Sequence, residues 1–161
     1  MSDRIAVYDT GMLIALADRQ AKPVKFHEVA RESVHRPIVP GPVLAQVWRP
    51  NPGTVHRLGS VLRDCTIPQA RSSAQPMRPD PARQAACIVC SGGIDVKHWQ
   101  RMGNVLGAVD LPAKKRPDAV DALVALLAIR HISAVVFTSD PQDITAYLAA
   151  FGAHDVHVVA V

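Results

Sequence analysis

Aspartates recur in this chain at positions where a predicted helix begins or a predicted strand ends. In the stretch RPDAVDALVALLA, residues 116–128, Asp118 and Asp121 stand three residues apart at the start of an apolar run. On an α-helix this spacing projects both carboxylates from nearly the same face, where like charges repel. Two explanations are open: either the acids cap the helix, or a cation lies between them.

Three more aspartates stand at comparable positions. Asp9 follows the apolar segment RIAVY (4–8), and Asp140 ends SAVVFTSD (133–140), with Asp143 three residues further on. Taken singly, each acid is explained by helix capping, and Asp140 is expected as an N-cap. Taken together, they suit Mg²⁺ or Mn²⁺, hard cations that bind through a few carboxylates, waters and phosphate oxygens. Such an ion can activate water for attack on a phosphodiester.

Predicted strands and helices alternate along the chain. Strands are predicted at 4–8, 36–40, 65–68, 133–140 and 156–161, and helices at 11–19, 26–34, 41–49, 54–63, 96–109, 118–131 and 141–152. Apolar strands between helices predict an α/β fold, a three-layer α/β/α sandwich with a mainly parallel, doubly wound sheet. In such a sheet ligands bind beyond the carboxyl ends of the strands, so Asp9 and Asp140 meet there if their strands are neighbours.

Length and composition set the domain organisation. The 161 residues are 48% apolar and predict a single domain over 1–161, with an insertion or divergent loop at 69–93. The net charge of +4 fits a polyanionic partner or simply a mildly basic surface. No apolar run reaches the ~20 residues of a membrane helix, and the N-terminus does not resemble a signal peptide, so a cytoplasmic protein is expected.

Cysteines offer a different metal site. Cys87 and Cys90 form a CxxC pair, and Cys65 with His98 would complete four zinc ligands. A zinc site usually contains a second tight pair, which this sequence lacks. Free thiols are therefore favoured over structural zinc.

Four segments resemble, in order and spacing, those of a PIN domain. They are VYDTGMLIAL, VPGPVLAQVWR, DAVDALVALLA and VVFTSDPQDI, and they look most like the toxin ribonucleases of bacterial VapBC toxin–antitoxin pairs. The resemblance covers residues 4–68 and about 94–161 and leaves out 69–93. It implies a PIN-like fold and a Mg²⁺- or Mn²⁺-dependent endoribonuclease. It further implies an RNA substrate, a cognate antitoxin partner and a homodimer.

The resemblance also implies roles for individual residues. The catalytic residues and metal ligands would be Asp9, Asp121 and Asp140, and the supporting acids would be Asp118 and Asp143. The Thr138 and Ser139 hydroxyls resemble the family's strand end, where a hydroxyl orients an acid or a water. Capping of the next helix is the equal alternative for both hydroxyls.

The chain departs from the family pattern at Gln46, where the family usually has Glu. A glutamine offers a carbonyl oxygen but no negative charge. We therefore expect an enzyme that needs more metal than a Glu-bearing relative. The alternative is a PIN-fold module that binds RNA or its antitoxin without cleavage.

Basic residues near the acids are candidates for RNA contacts. Lys114, Lys115 and Arg116 precede a helix start, where cations are unfavourable by about 0.3–1 kcal/mol. A passing phosphate backbone would offset this cost, and a solvated loop is the other interpretation. Arg49 could contact phosphate while Trp48 stacks on a base, although a buried tryptophan is the commoner outcome.

Overall fold

The computed structural model describes residues 4–68, 93–112, 115–153 and 155–161. Within these ranges the chain is a mixed α/β structure of three parallel strands and seven helices. The strands are β1 (Ile5–Tyr8), β2 (Ala134–Thr138) and β3 (Val156–Ala160). The helices are α1 (Thr10–Ala17), α2 (Ala21–Arg31), α3 (Gly41–Val47), α4 (Pro52–Arg63), α5 (Val96–Ala108), α6 (Ala119–Ile129) and α7 (Pro141–Ala150).

The sheet has the strand order β1-β2-β3, and both strand pairs are parallel. The strands preceding Asp9 and Asp140 are therefore neighbours, which meets the condition under which the two acids were expected to come together. Tyr8 is paired in register with Phe137, so Asp9 and Thr138 lie side by side just beyond the last paired residues. The remaining detail of the prediction, a three-layer sandwich with a doubly wound sheet, stays a prediction.

The segments predicted as strands at 36–40 and 65–68 are much shorter in the structure. Each contributes a single parallel bridge, Val7 to Ile38 and Ile38 to Thr66. Prolines explain the difference, because Pro37 and Pro40 enclose Ile38 and supply no N–H groups to a ladder. These bridges still extend the parallel alignment on the far side of β1.

Two groups of helices surround the strands. Helix α1 contacts α2, α3 and α4, whereas α6 contacts α5, α7 and strands β1 and β2. Helix α6 is apolar on nearly all sides, and its residues 122–128 are all buried, as expected of a central helix. Helix α2 begins five residues before its predicted start, since Pro23 fits its first turn.

Two further expectations bear on the outline of the fold. The helix predicted at 141–152 ends at Ala150, and Gly152 follows it with a φ of 74°, a conformation in which glycine commonly ends a helix. The predicted insertion at 69–93 lies, apart from Gly93, outside the described residues. In the described ranges, none of the helices combines the length and apolarity needed to cross a membrane.

Candidate active site

Asp9 is placed by two elements at once. It follows β1 and is the N-cap of α1, and one of its carboxylate oxygens accepts the Gly11 N–H at 2.9 Å. The other oxygen accepts the hydroxyl of Thr138, the last residue of β2. Asp9 is only 6% exposed, and its burial raises the pKa of the carboxyl, as does the charge of Asp140. The two hydrogen bonds act in the opposite direction and lower it.

Thr138 connects the two strand ends. Its fully buried hydroxyl donates to Asp9 and accepts the Asp140 N–H at 2.9 Å. Thr138 thus holds the Asp9 carboxylate, whereas its bond to the Asp140 N–H precedes α7 and does not cap that helix. Ser139 is exposed and lies against Gly11, where a Cβ atom would come within 2.1 Å of the Ser139 Oγ and 2.8 Å of its backbone nitrogen. Only glycine allows this approach of α1 to β2.

Asp118 and Asp121 begin helix α6, as predicted. Asp118 is its N-cap and accepts the Val120 N–H at 2.6 Å, while Asp121 lies in the first turn. The Asp118 N–H donates to the Tyr147 hydroxyl at 2.6 Å, which connects the start of α6 to the second half of α7. Capping thus explains Asp118 but not Asp121.

The pKa of Asp121 depends on its burial and on the four other acids near it. It is raised from 3.8 to about 7, chiefly by burial and also by the negative charges of Asp118, Asp9, Asp143 and Asp140. The other four predicted aspartates therefore all lie within electrostatic range of Asp121. We call this group, at the carboxyl ends of β1 and β2 and the starts of α6 and α7, the acid crevice.

Lys115 is the cation that the structure places against these acids. Its Nζ donates to carboxylate oxygens of Asp140 and Asp143, at 2.9 Å from the Asp143 Oδ2. These hydrogen bonds raise the pKa of the ammonium. The Asp140 side chain makes no capping hydrogen bond to α7, contrary to the expectation from sequence, because its carboxylate binds Lys115 instead.

Asp143 is a buried acid with only one of its two carboxylate oxygens hydrogen-bonded among the described residues. It is 6% exposed, and its Oδ1 has no hydrogen-bond partner in the part of the chain that the structure describes. A buried carboxylate oxygen without a partner is costly, and a cation or a water is the usual remedy. Asp143 therefore supports a ligand in the crevice more directly than the exposed Asp118 does.

Gln46 lies at the margin of the crevice. It is exposed on α3, and its Oε1 accepts the hydroxyl of Thr10, the residue after Asp9. This hydrogen bond links Gln46 to the residue that follows Asp9. No contact links Gln46 directly to an acid in the described ranges.

The predicted RNA-contact residues are dispersed around this arrangement. Arg49 is exposed after α3 and donates to the Trp48 carbonyl at 2.8 Å, while Trp48 itself is half-buried against the core. Arg116 is exposed beside Lys115. Lys114 lies outside the described residues.

The cysteine hypothesis receives no support from the part that can be described. Cys65 is buried, donates to the Val61 carbonyl at 3.4 Å, and has a pKa raised by burial. His98 pairs with Asp95 in a capping box at the start of α5. Cys87 and Cys90 fall outside the described residues.

The donor set of the acid crevice suits a hard cation, because it consists of carboxylate oxygens with a deficit of positive charge. The arrangement is nevertheless not a preformed cage. Across residues 4–68, 93–112, 115–153 and 155–161, no group of three or more His, Cys, Asp or Glu side chains is placed to hold a metal ion. Asp9 and Asp140 are adjacent and Asp121 faces their charge, but Lys115 occupies the side formed by Asp140 and Asp143.

Sequence reasoning missed the roles of two residues. Tyr147 was not considered, although it stands four residues after Asp143, a spacing that places both on one face of α7. Lys115 was considered only as an RNA contact. Cations are unfavourable before a helix N-terminus, and this helix start also carries acids. That combination indicates that Lys115 binds nearby carboxylates.

Comparison of the chain with family models, with curated proteins and with solved structures gives no match. The resemblance to PIN domains therefore stays a prediction from the four segments quoted above.

Proposed function

We propose that this protein is a Mg²⁺- or Mn²⁺-dependent endoribonuclease whose active site is the acid crevice. The observation that supports the proposal most strongly is the crowding of four aspartates around the half-buried Asp121, with one buried oxygen of Asp143 left without a partner among the described residues. Such crowding costs stability in the absence of a cation and is relieved when one binds. The resemblance of the four sequence segments to PIN-domain ribonucleases supplies the reaction.

The protein side chains have distinct tasks in this proposal. Asp9, Asp121 and Asp140 hold the ion, and Thr138 keeps the Asp9 carboxylate in one orientation through its hydroxyl. Asp118 and Asp143 add negative charge around them. A bound divalent ion would supply activation of the attacking water and neutralisation of phosphate charge. Phosphate groups on either side of the scissile bond would be held by Arg49, Lys114 and Arg116.

The proposal includes a biological setting that comes from the resemblance alone. As the toxin of a toxin–antitoxin pair, the protein would act on RNA in the cytoplasm, as a homodimer, and bind a cognate antitoxin. A small neighbouring reading frame whose product co-purifies with this chain would support that setting. Size-exclusion chromatography with light scattering would test the dimer.

The second candidate function is a PIN-fold module that binds RNA or an antitoxin without cutting. Two observations favour it: residue 46 is a neutral glutamine, and the Lys115 ammonium already neutralises part of the crevice. A filter-binding assay and a cleavage assay, both with Mn²⁺ present, separate these candidates. The binding module would hold RNA on the filter but would not cleave it.

The deciding experiment is cleavage of end-labelled single-stranded RNA by the full chain, with Mn²⁺ and with EDTA. We expect cleavage that EDTA abolishes and that Asp9→Asn lowers at least about 100-fold, because loss of a group that only supports a metal ligand already costs about 10- to 100-fold. Asp18→Asn is the matched control, because Asp18 is an exposed aspartate at the opposite end of α1. Cleavage that survives EDTA, or that falls equally in both variants, would contradict the proposal.

A further inference from the structure

Among the described residues, Lys115 carries the positive charge that lies closest to the acid crevice. Its ammonium joins Asp140, the N-cap of α7, to Asp143 in the first turn of the same helix. Asp143 is buried, yet only its Oδ2 is bound by Lys115, while its Oδ1 lacks a partner among the described residues. One ammonium thus serves two carboxylates and leaves a buried oxygen unsatisfied.

We propose that Lys115 is the resident cation of the acid crevice and competes with the divalent metal ion for Asp140 and Asp143. This inference rests on the proposed function, because it assumes that the crevice takes such an ion. A divalent ion carries twice the charge of an ammonium and can accept oxygen donors that the ammonium leaves unused. Metal binding then requires that Lys115 leave these carboxylates.

The backbone near Lys115 is held close to helix α7. Three residues further on, the Asp118 N–H donates to the hydroxyl of Tyr147, whose ring is fully buried in α7. A charged group tethered this closely competes with free ions at an effective concentration of roughly millimolar. The tether therefore sets a threshold of free metal below which Lys115 keeps the carboxylates.

The Lys115 side chain is also free to leave without disturbing the core. It is 43% exposed, and its ammonium hydrogen-bonds to the two aspartates at the surface of the protein. Release would move a flexible four-carbon stem into water rather than repack a buried side chain. Exchange of ammonium for metal is thus a local substitution of one cation by another.

The test is the affinity of the full-length chain for Mn²⁺, measured by titration calorimetry and by the electron paramagnetic resonance signal of the free ion. We compare wild type, Lys115→Met, Lys115→Arg and Lys25→Met. Lys25 is an exposed lysine on α2, a helix that carries none of the five acids. Lys25→Met changes the net charge by the same amount as Lys115→Met and serves as the matched control. No RNA is present, so the readout does not depend on catalysis.

We expect Lys115→Met to tighten Mn²⁺ binding roughly three- to tenfold, the range that follows from loss of one or two partly exposed ion pairs. The metal-free form of this variant should melt at a lower temperature than wild type, because two acids lose their counter-ion. Lys115→Arg and Lys25→Met should bind Mn²⁺ with wild-type affinity.

Several results would overturn the inference, and they differ in what they say of the proposed function. Mn²⁺ binding by Lys115→Met that is no tighter than wild type would refute the competition while leaving the metal-dependent ribonuclease intact. Equal tightening by Lys115→Arg or by Lys25→Met would also refute it, since the position or the charge of Lys115 would then not matter. Failure of every form to bind Mn²⁺ at millimolar concentration would refute both proposals.

Discussion

Consecutive residues of the same strand end, Tyr8 and Asp9, enter two polar clusters that differ in how their groups are paired. The Tyr8 hydroxyl meets the His27 Nδ1 at 2.9 Å, and the His27 Nε2 lies 3.7 Å from the Asp64 Oδ2, which also faces Arg31 at 3.7 Å. We call these four residues the Tyr8 network. Here donors meet acceptors and the one acid faces two basic groups.

In the acid crevice, by contrast, acidic groups outnumber the basic groups that pair with them. In the described ranges two of its five carboxylates bind the same lysine, Lys115, and one buried carboxylate oxygen has no partner. A network whose members satisfy each other stabilises the fold, whereas crowded like charges destabilise it. The difference supports the view that the Tyr8 network serves the structure and the acid crevice serves a ligand.

The largest change in stability is expected from removal of the centre of the Tyr8 network. His27→Ala leaves a cavity and deprives the buried Tyr8 hydroxyl of its partner, which should lower the free energy of unfolding by about 2–4 kcal/mol. His56→Ala is the control, because His56 is an exposed histidine on α4. Urea unfolding in EDTA measures both. A loss below about 1 kcal/mol for His27→Ala would show that the network is not structural.

Gly11→Ala tests the close packing that positions Asp9. The new methyl group would come within 2.8 Å of the Ser139 backbone nitrogen, so α1 must shift away from β2. We expect a loss of about 1–3 kcal/mol in unfolding free energy and a fall in RNA cleavage, because Asp9 moves with α1. Gly103→Ala in α5, where no atom lies within 4 Å of the new Cβ, should instead be neutral or stabilising. Equal effects at both positions would remove the packing argument.

The two clusters should give opposite dependences of stability on pH. Folding raises the pKa of Asp121 from 3.8 to about 7, so the folded state binds more protons in this interval and its stability declines as pH rises from about 4 to 7. Burial lowers the pKa of His27 below 6.5, so the folded state binds fewer protons there and loses stability as pH falls below 6.5.

Urea unfolding in EDTA between pH 4 and 8 measures these slopes. Asp121→Asn should remove the decline toward neutral pH, a change of about 1–2 kcal/mol at pH 8 after allowance for solvent screening. His27→Gln should flatten the loss below pH 6.5. Parallel pH profiles for the wild type and both variants would contradict the assigned environments.

The smallest effect concerns Gln46. Gln46→Glu preserves an acceptor for the Thr10 hydroxyl and adds one negative charge beside the residue that follows Asp9. We expect the Mn²⁺ concentration for half-maximal RNA cleavage to fall about two- to fivefold, the scale of an exposed charge interaction. Gln20→Glu, at the exposed N-cap of α2, is the matched control. An unchanged metal requirement in Gln46→Glu would place residue 46 outside the influence of the crevice.

The sequence predicted the elements whose signals are local. The apolar run of β2, the proline at the start of α7 and the glycine after it identify those elements without reference to the rest of the chain. Parallel strand neighbours then brought Asp9 beside Thr138. The short bridges at Ile38 and Thr66 were overestimated as strands, because apolar character predicts burial whereas the prolines limit the ladder.

The contacts of long side chains could not be predicted in this way. Lys115 binds two acids that follow it in the chain by 25 and 28 residues. Nothing in the sequence around Lys115 specifies that its side chain points toward them. The hydrogen bond from the Asp118 N–H to the Tyr147 hydroxyl could not be predicted either. A tyrosine on an apolar helix face normally indicates only core packing. Sequence spacing therefore located the acids but not the groups that restrain them.

The central claim is that the acid crevice is unstable by itself because it is built for a cation. The most direct test is the unfolding free energy of wild type and Asp121→Asn at pH 8, first in EDTA and then in saturating Mn²⁺. We predict that the variant is the more stable in EDTA and that the order reverses in Mn²⁺. Wild type should gain about 2.7 kcal/mol at 100 times its dissociation constant, whereas the variant gains little. A variant that is less stable than wild type in EDTA, with an equal response to Mn²⁺, would contradict the account.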